Sequence, residues 1–489
     1  MTWQRQQLTE WKAFGMERTT AASLVSRLDA LPVNKWHWHL LILCAAGMGC
    51  DQFESQVMAN VLPSLAHQWH LSDTQVGLMS SSGFAGMLIG AILFGMLADI
   101  IGRRKIFGIT LLWYSLFTGA LVFTSNFQQM AVIRFIEGLG LGGFVPVAAA
   151  YLAEYVPSKR RGLFLSLFTA TAMLSYSISF VVGFTIILPY GWRWAFILGT
   201  LPALLIVFVF RHVPESVRYL IKRGKVTEAV ELVEQLEQRI VGQVTVPQAE
   251  AIETAKQSES AEPQFRYRDL FRGGLVKIVI VLSFLGFAFN FASFAIRMWL
   301  PIFLVRELHV SLSYGFKLNA IGTFIAISGQ TIAGWTTDHW GRRPSVAYSF
   351  IGYAISTYLI FACKSYPIAA WSFIFTYHII NGAAWGSQFA YYSENFPTRL
   401  RATGVAFVQS VARFGALLGP AVVGVIYSRF GVNSVLHLNL VLLCMAVAGI
   451  FLFGRETRLR SLEEITRMNA GADLPSELAS PMSMERGAN

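Results

Sequence analysis

Long apolar stretches separated by short polar loops run along most of this chain. At about 1.5 Å of rise per helical residue, a stretch of about 20 apolar residues crosses the roughly 30 Å of hydrocarbon in a bilayer. Such stretches lie at 36–63, 74–97, 106–124, 129–153, 163–188, 194–211, 277–304, 314–337, 345–363, 368–393, 403–427 and 434–454. The pattern predicts an all-α membrane protein with about twelve transmembrane helices, six in each half.

The polar segments between these stretches divide the chain. Residues 212–273 leave the membrane pattern, and apolar residues recur at helical spacing within 226–240, which predicts an amphipathic helix or two in this linker. No short apolar core with a small-residue cleavage site precedes the first span, so no cleavable signal peptide is expected. The predicted domains are an N-terminal segment 1–35, a first bundle 36–211, the linker 212–273, a second bundle 274–454 and a tail 455–489.

Charge adds an orientation to this picture. The chain is 54% hydrophobic and 14% charged, with a formal net charge of +11. Lysine and arginine gather in the loops on one side of the predicted membrane, at 103–105, 159–161, 342–343 and 399–401. Because cytoplasmic loops hold the positive excess, we expect both termini and the linker to be cytoplasmic in a multi-pass cell-membrane protein, in the inner membrane if it is bacterial. The net charge is then a topology signal and does not imply nucleic acid.

An internal repeat relates the two halves. Three pairs of segments recur about 240 residues apart: Gly95 to Lys105 with Gly334 to Arg343, Glu154-x-x-Pro157 with Glu394-x-x-Pro397, and Pro214-Glu215-Ser216 with Arg455-Glu456-Thr457. Several pairs at one offset indicate a duplication. Parallel duplicated halves are typical of transporters.

These repeated motifs resemble a known superfamily. The segment from Gly95 to Lys105 resembles the loop hallmark of the major facilitator superfamily, which implies its twelve-helix fold. The motif Glu394-x-x-Pro397-Thr398-x-x-Arg401 is similar to that of the organic ion transporters and of the bacterial aromatic-acid and nicotinate proton symporters. Those symporters show Asp-Gly-x-Asp in the first span, where this chain has Asp51-Gln52-Phe53-Glu54. The resemblance implies secondary transport.

Arginines inside the spans are candidates for binding a substrate anion. A charge at mid-bilayer is costly, so one that is retained there faces a cavity or a partner. Arg413, near the middle of the eleventh span, is the favoured ligand for a carboxylate because its planar fork of donors binds both oxygens at once. The alternative is a structural salt bridge. Arg297, in the outer part of the seventh span, is a second candidate, although its side chain can also snorkel to the interface.

A pocket for a flat anion is expected to be aromatic with a few fixed polar groups. The candidate lining residues at mid-membrane depth are Tyr176, Asn290, Tyr377, Asn381, Trp385, Gln388 and Gln409. His378 is interpreted as a packing residue, because a lone histidine in a helix is more often satisfied by its neighbours.

Acidic residues inside the spans suit proton coupling. Asp51 and Glu54 are three residues apart and lie on one face of the first helix. Burial favours the neutral form of a carboxyl, so either residue can load and release a proton as water access alternates. We predict that only one of the two is the carrier. The alternative is that one of them is permanently paired with an arginine. Arg134 and Glu137 in the fourth span modulate that proton or neutralise each other.

The repeated loop motifs are expected to gate and not to bind. Their charged residues are Asp99, Arg103 and Arg104 in the first half and Asp338, Arg342 and Arg343 in the second. At the cytoplasmic edge they are predicted to latch the two halves through charge pairs and helix ends in one conformation.

The leading hypothesis is a proton symporter for a small aromatic or heterocyclic monocarboxylate, of the nicotinate or benzoate type, that works as a monomer. Its partners are then the organic anion, the proton and the bilayer, with no metal and no cofactor other than the proton as coupling ion. A facilitator or exchanger of another organic ion or a sugar, and a non-transporting receptor on the same fold, remain alternatives. An enzyme is disfavoured, because the sequence shows no nucleophile with a base, no metal cluster and no phosphate loop.

Overall fold

The computed structural model describes residues 24–25, 27–241, 270–271, 275–363, 367–396 and 400–457, and leaves out the side chains of 367–370 and 401–402. All regular structure in these ranges is helical. The membrane-length helices in the described part of the chain are α1 (Lys35–Gln68), α2 (Asp73–Ile101), α3 (Arg103–Leu121), α4 (Phe127–Tyr155), α5 (Ser158–Tyr190), α6 (Arg193–His212), α7 (Leu275–Arg306), α8 (Leu312–His339), α9 (Arg342–Ala362), α10 (Pro367–Asn395), and α11 and α12, which together form Arg401–Phe453. The all-α, two-half fold predicted from the hydropathy pattern is confirmed.

The helices differ in how apolar they are. Within the described ranges, seven segments are long and apolar enough to cross a membrane by length and composition alone, and one of these, Thr403–Phe453, contains both α11 and α12. The break between those two helices is at Gly431, whose φ of 73° lies in the left-handed region that favours glycine. The helices α1, α3, α8 and α10 have the length but are not among the seven. Large apolar side chains such as Ile92 and Leu116 are exposed on the outer surface, as expected for contact with lipid.

Side-chain caps define several helix starts. Ser72 caps α2 through the backbone N–H of Gln75, whose side chain accepts a hydrogen bond from the Ser72 N–H in return. Asn126 caps α4 in the same way through the backbone N–H of Gln129. These caps satisfy N–H groups that the helix itself leaves unpaired, so the short loops between spans end where the sequence supplies a Ser or Asn.

The two halves touch towards one side of the bundle. The side on which α1 begins and α12 ends is called the terminal face here, and the other the opposite face. Arg306, the last residue of α7, pairs with Asp73, the first residue of α2, at the opposite face. Deeper in the bundle, the Ser177 hydroxyl of α5 lies 2.8 Å from the Thr323 hydroxyl of α8. Contacts of both kinds close the protein on the opposite face.

Towards the terminal face the halves separate. One apolar core includes residues from both halves, such as Val57 and Val76 from the first and Trp299 from the second. The second core, around Tyr151 and Phe107, contains residues of the first half and its linker helix. The described ion pairs of the loop motifs also lie within one half, as in Arg103 with Glu154. In the described part of the chain, contacts between the halves therefore gather towards the opposite face, and the space between the halves towards the terminal face is called the cleft here.

A close approach of α2 and α11 holds the opposite face shut. A Cβ atom at Gly77 would lie 2.5 Å from the Pro420 carbonyl oxygen and 3.1 Å from the Ala421 Cα atom. We expect Gly77→Val to disfavour this closed state. Overpacking costs about 1–3 kcal/mol, which changes the ratio of the two conformations about tenfold. A cysteine replacing the buried Phe316, in a background without the native cysteines, should then react faster with an impermeant maleimide added from the opposite face.

Gly95→Val is the matched control, because a Cβ atom at Gly95 would meet nothing within 4 Å. Equal labelling rates in the two glycine variants would contradict a gate at this helix contact.

The linker contains a helix where the sequence predicts one. Helix Val226–Val241 buries Ala229, Val233 and Leu236 against the first half. Its Glu237 carboxylate accepts two hydrogen bonds from Arg27, at 2.9 and 2.6 Å. Most of the predicted 1–35 segment, the linker beyond 241 and the tail beyond 457 lie outside the described residues.

Candidate functional site

A narrow pocket lies between α5, α7, α8 and α10, near mid-membrane. Its cavity volume in this conformation is about 30 Å³. It is lined by Met173, Tyr176, Phe180, Arg297, Leu300, Asn319, Thr323, Ala326, Tyr377, His378, Asn381, Gly382 and Trp385. This is a mainly apolar and aromatic wall with one cation, which is the composition of a site for a small organic ligand.

Among the described lining residues, only Arg297 carries a positive charge. Its guanidinium carbon lies 4.5 Å from the centre of the Tyr176 ring and 4.1 Å from that of Phe294, so both rings pack on the cation. Its Nε and Nη2 atoms are buried without a hydrogen-bond partner in the described part of the chain. Guanidinium donors point along the plane of the group, so this edge remains free to bind an acceptor.

The same edge binds carboxylates elsewhere in this protein. Nε and Nη2 of Arg342 donate to the two oxygens of Glu394, at 2.8 Å each. The corresponding atoms of Arg27 donate to the two oxygens of Glu237. In Arg297 these two donors have no described partner, and a buried donor without a partner costs about 1–3 kcal/mol, more when it is charged. The arrangement is suited to a carboxylate.

Polar groups in the rest of the pocket are few and partly bonded to each other. His378 is buried, with its Nε2 atom 3.1 Å from the Asn319 side-chain oxygen. The side-chain oxygen of Asn381 lies 3.5 Å from the Ser293 hydroxyl. The sequence favoured His378 as a packing residue, but it lies on the pocket wall.

Five predicted lining residues lie in this pocket: Tyr176, Arg297, Tyr377, Asn381 and Trp385. The remaining ones lie outside it. The Asn290 amide donates to the Gly286 carbonyl of its own helix, and Gln388 accepts a hydrogen bond from Tyr392. Gln409 is half-buried on α11, a helix that does not line the pocket. Met173 of α5 and Asn319 and Thr323 of α8 also line the pocket and were not found from the sequence, which does not show how α5 and α8 pack.

Arg413 lies apart from the pocket, on the wall of the cleft. Its side chain is accessible although protein atoms surround it, and it interacts electrostatically with Asp51 of the first half. Asp51 itself is fully buried. The two charges are positioned to attract each other across the boundary between the halves.

The other intramembrane charges form a buried cluster in the first half. Arg134 donates to one oxygen of Glu137 at 2.9 Å, and the Thr118 hydroxyl donates to the other at 2.9 Å. Glu54 packs against Gly199 of α6, and neither of its oxygens has a hydrogen-bond partner in the described part of the chain. A buried carboxyl without a partner is costly to ionise, whereas Glu137 has both a cation and a hydroxyl.

Gln52 is a polar residue that the sequence reading left without a role. Its amide nitrogen donates to the Asp51 carboxylate at 2.5 Å, and its amide oxygen accepts from the Tyr176 hydroxyl at 2.5 Å. It therefore joins the buried acid of α1 to the pocket. The sequence feature that could have pointed to Gln52 is an amide side chain inside an apolar span, directly next to a predicted proton carrier.

The loop motifs form the same network in each half. Glu154 binds Arg103 at 2.6 Å and accepts from the Ser216 hydroxyl at 2.5 Å. In the second half, Glu394 binds Arg342 and accepts from the Thr457 hydroxyl at 2.6 Å.

Both helix starts after the loops are also capped by a glutamate. Glu215 accepts from the backbone N–H of Arg104, at the start of α3. Glu456 accepts from the backbone N–H groups of Arg342 and Arg343, at the start of α9. A carboxylate at a helix N-terminus satisfies unpaired N–H groups and complements the helix dipole. The sequence repeat is thus a structural repeat.

The motif aspartates make weaker contacts. Asp99 is exposed and lies 3.8 Å from Lys222. Asp338, near the end of α8, lies 3.5 Å from Arg342, the first residue of α9. Among the described residues, these aspartates contact only their own half or the linker that follows it. A latch in another conformation stays a prediction.

We expect Arg103→Ala to slow transport about tenfold while changing ligand affinity by less than about threefold. The substitution leaves Glu154 without its cation and biases the open and closed populations, but Arg103 is not in the pocket lining. Uptake rates in proteoliposomes and equilibrium binding to purified protein measure the two effects. The exposed neighbour Lys105 supplies the control variant Lys105→Ala. Loss of binding in a folded Arg103→Ala protein would show that the motif does more than gate.

Comparison with known proteins agrees with this architecture. The family model described as sugar (and other) transporter matches residues 19–469. The chain is 33% identical over 445 residues to the niacin transporter NiaP of Acinetobacter baylyi, covering 90% of this chain and 99% of that protein. It is 27% identical to the 4-hydroxybenzoate transporter PcaK of the same organism, covering 90% and 97% of the two chains.

Solved structures show the same fold. A partially occluded, inward-open structure of the Escherichia coli xylose transporter XylE superimposes with a TM-score of 0.71 at 19% identity, covering 88% of this chain and all of that one. At this identity the likeness concerns the fold alone. Together with the family match, it shows that the chain belongs to the sugar (and other) transporter family, has the major facilitator fold, and is a membrane transporter and not an enzyme.

Proposed function

We propose that this protein is a proton-coupled symporter of a small aromatic or heterocyclic monocarboxylate, with nicotinate the favoured substrate and benzoates next. The observation that carries the proposal is the free, buried Nε and Nη2 edge of Arg297 in an aromatic pocket. Relatives named for niacin and 4-hydroxybenzoate transport support the same class of substrate.

In this proposal the carboxylate binds side-on to Arg297. Its two oxygens take the two free donors, as the carboxylates of Glu394 and Glu237 take those of Arg342 and Arg27. The ring of the substrate then lies among Tyr377, Trp385 and the aliphatic wall. A flat aromatic ring gains about 0.5–1.5 kcal/mol from each stacking partner in addition to its buried area.

The proton would travel on an acid of α1. Asp51 is the favoured carrier, because it is bonded towards the pocket through Gln52 and lies within electrostatic range of Arg413. Glu54 is the second candidate. Arg134 and Glu137 pair with each other and would adjust the charge around Glu54.

Alternating access would come from rocking of the bundles 36–211 and 274–454 about the pocket. The described conformation has its cleft open to the terminal face, and the positive loops favour a cytoplasmic location for that face in a cell membrane. The protein would work as a monomer, because each chain contains both halves and the whole pocket.

A neutral sugar fits the pocket less well. The family model includes sugar transporters, but a sugar hydroxyl does not neutralise a buried guanidinium. Facilitated transport or exchange of another organic ion, and ligand binding without transport, remain distinguishable by experiment.

A thermal-shift screen of the purified protein tests substrate class. A ligand at 100 times its dissociation constant adds about 2.7 kcal/mol to the free energy of unfolding. Nicotinate, benzoate and 4-hydroxybenzoate should each raise the melting temperature, whereas nicotinamide, xylose and carnitine should not. Stabilisation by nicotinamide equal to that by nicotinate would contradict recognition of a carboxylate.

A further inference from the structure

Three side chains form a continuous path from the buried acid of α1 to the pocket cation. Asp51 accepts from the Gln52 amide nitrogen, Gln52 accepts from the Tyr176 hydroxyl, and the Tyr176 ring packs on Arg297. The first two links are hydrogen bonds of 2.5 Å each. Tyr176 is itself a pocket residue, so the path ends where the substrate would bind.

The Gln52 amide in the middle of this path gives the hydrogen bonds a direction. A primary amide offers donors at one end and an acceptor at the other, so its two neighbours must play opposite parts. An ionised Asp51 only accepts, which turns the nitrogen of Gln52 towards it. The oxygen of Gln52 then faces Tyr176 and accepts a hydrogen bond from its hydroxyl group.

We propose that Gln52 is a positioning residue that couples the proton on Asp51 to the anion in the pocket by reversing the direction of this hydrogen-bond path. The inference rests on the proposed proton symport and names the residue that would link its two ligands.

The reversal requires one protonation and no other covalent change. A hydronium ion from the cleft transfers its proton to an Asp51 oxygen and leaves as water. The new O–H group can then donate to the oxygen of a Gln52 amide rotated by half a turn. The amide nitrogen now donates to the Tyr176 oxygen, and the Tyr176 hydroxyl no longer donates to Gln52. The hydroxyl becomes free to donate to a carboxylate on Arg297, so the proton and the anion strengthen each other's binding by the same factor.

Other charged and titratable groups face Asp51 and set how readily it takes the proton. Arg413 of α11, Glu137 of α4 and Glu54 of the same helix lie within electrostatic range of it. Cys50 and Tyr114 also lie within electrostatic range. None of these groups is hydrogen bonded to both Asp51 and a pocket residue, as Gln52 is, so the coupling is assigned to Gln52.

Equilibrium binding of nicotinate to purified protein between about pH 6 and pH 10 tests the inference. In the unsubstituted protein the dissociation constant should rise with pH, reaching about tenfold per pH unit where Asp51 is ionised in the free protein, because one proton then binds with each anion. In Gln52→Leu and in Tyr176→Phe the rise should fall below about twofold per unit. Tyr176→Phe keeps the ring on Arg297 and removes only the hydroxyl, so its loss of affinity should be larger at the lowest pH than at the highest. Proton uptake on binding, read with an indicator dye in weak buffer, should fall in parallel.

Gln56→Leu is the matched control, since Gln56 is a fully buried amide on the same helix, one turn away. It should keep the tenfold slope. If Gln52→Leu keeps that slope as well, or if both variants lower affinity equally at every pH, Gln52 is only structural and the inference is overturned while the proposed symport stands. If the unsubstituted protein binds nicotinate and benzoates with no dependence on pH, or does not bind them, both are overturned.

Discussion

Arg297→Ala is expected to weaken nicotinate binding by more than about 100-fold. The substitution removes two charge-assisted hydrogen bonds to the carboxylate, each of about 1.5–3 kcal/mol. Arg297→Lys should recover part of the loss, remaining about tenfold weaker than the unsubstituted protein, because an ammonium keeps the charge but not the paired donors. Isothermal titration with purified protein measures both.

Lys277→Ala controls for the loss of a cation from the same helix, because Lys277 is exposed near the start of α7 and is not in the pocket lining. Its affinity should not change. Arg413→Ala makes the second comparison, since the sequence favoured Arg413 as the anion ligand. Normal binding in Arg297→Ala together with lost binding in Arg413→Ala would move the substrate from the pocket to the cleft wall and contradict the proposed site.

Asp51→Asn is expected to abolish uphill accumulation of substrate and to leave exchange largely intact. Asparagine keeps the size and hydrogen bonding of the side chain but carries no proton, so the protein can no longer use a proton gradient. Exchange of labelled for unlabelled substrate needs no net protonation cycle and should proceed within about threefold of the normal rate. Proteoliposomes with and without a pH gradient separate the two activities.

Glu54→Gln is the comparison that identifies the carrier, because Glu54 is equally buried on the same helix. We expect it to retain accumulation. Accumulation that persists in Asp51→Asn but is lost in Glu54→Gln would transfer the role to Glu54. Persistence in both variants would exclude a carrier on α1.

The helices and the repeat were accessible from the sequence because both depend on local patterns. Each span follows from its run of apolar residues. The repeated glutamates, such as Glu154 and Glu394, stand at fixed spacing from the arginines that they bind. The structure adds the physical reason for the last repeat, in which Glu215 and Glu456 cap the helices that begin after the motif loops.

The site could be predicted only in part, because the depth of a residue in a span and its charge do not show which side chains it contacts. Arg413 and Arg297 are both arginines inside a span, and the sequence ranked Arg413 first for its depth. Arg297 is distinguished by the two rings that pack on its guanidinium group and by its Nε and Nη2 donors, which have no described partner. Both features depend on how α5 and α7 pack. Asn319 and Thr323 were missed for the same reason, since an uncharged residue gains a role only from its neighbours.

Proton movement driven by the substrate alone tests the central claim most directly. Proteoliposomes are prepared without any ion gradient, labelled nicotinate is added outside, and an internal dye reports pH while filtration reports uptake. Protein-free liposomes and Arg297→Ala proteoliposomes correct for diffusion of the neutral acid through lipid. The account predicts that the lumen acidifies in step with protein-dependent nicotinate uptake. Protein-dependent uptake of nicotinate with no change in internal pH would contradict proton symport.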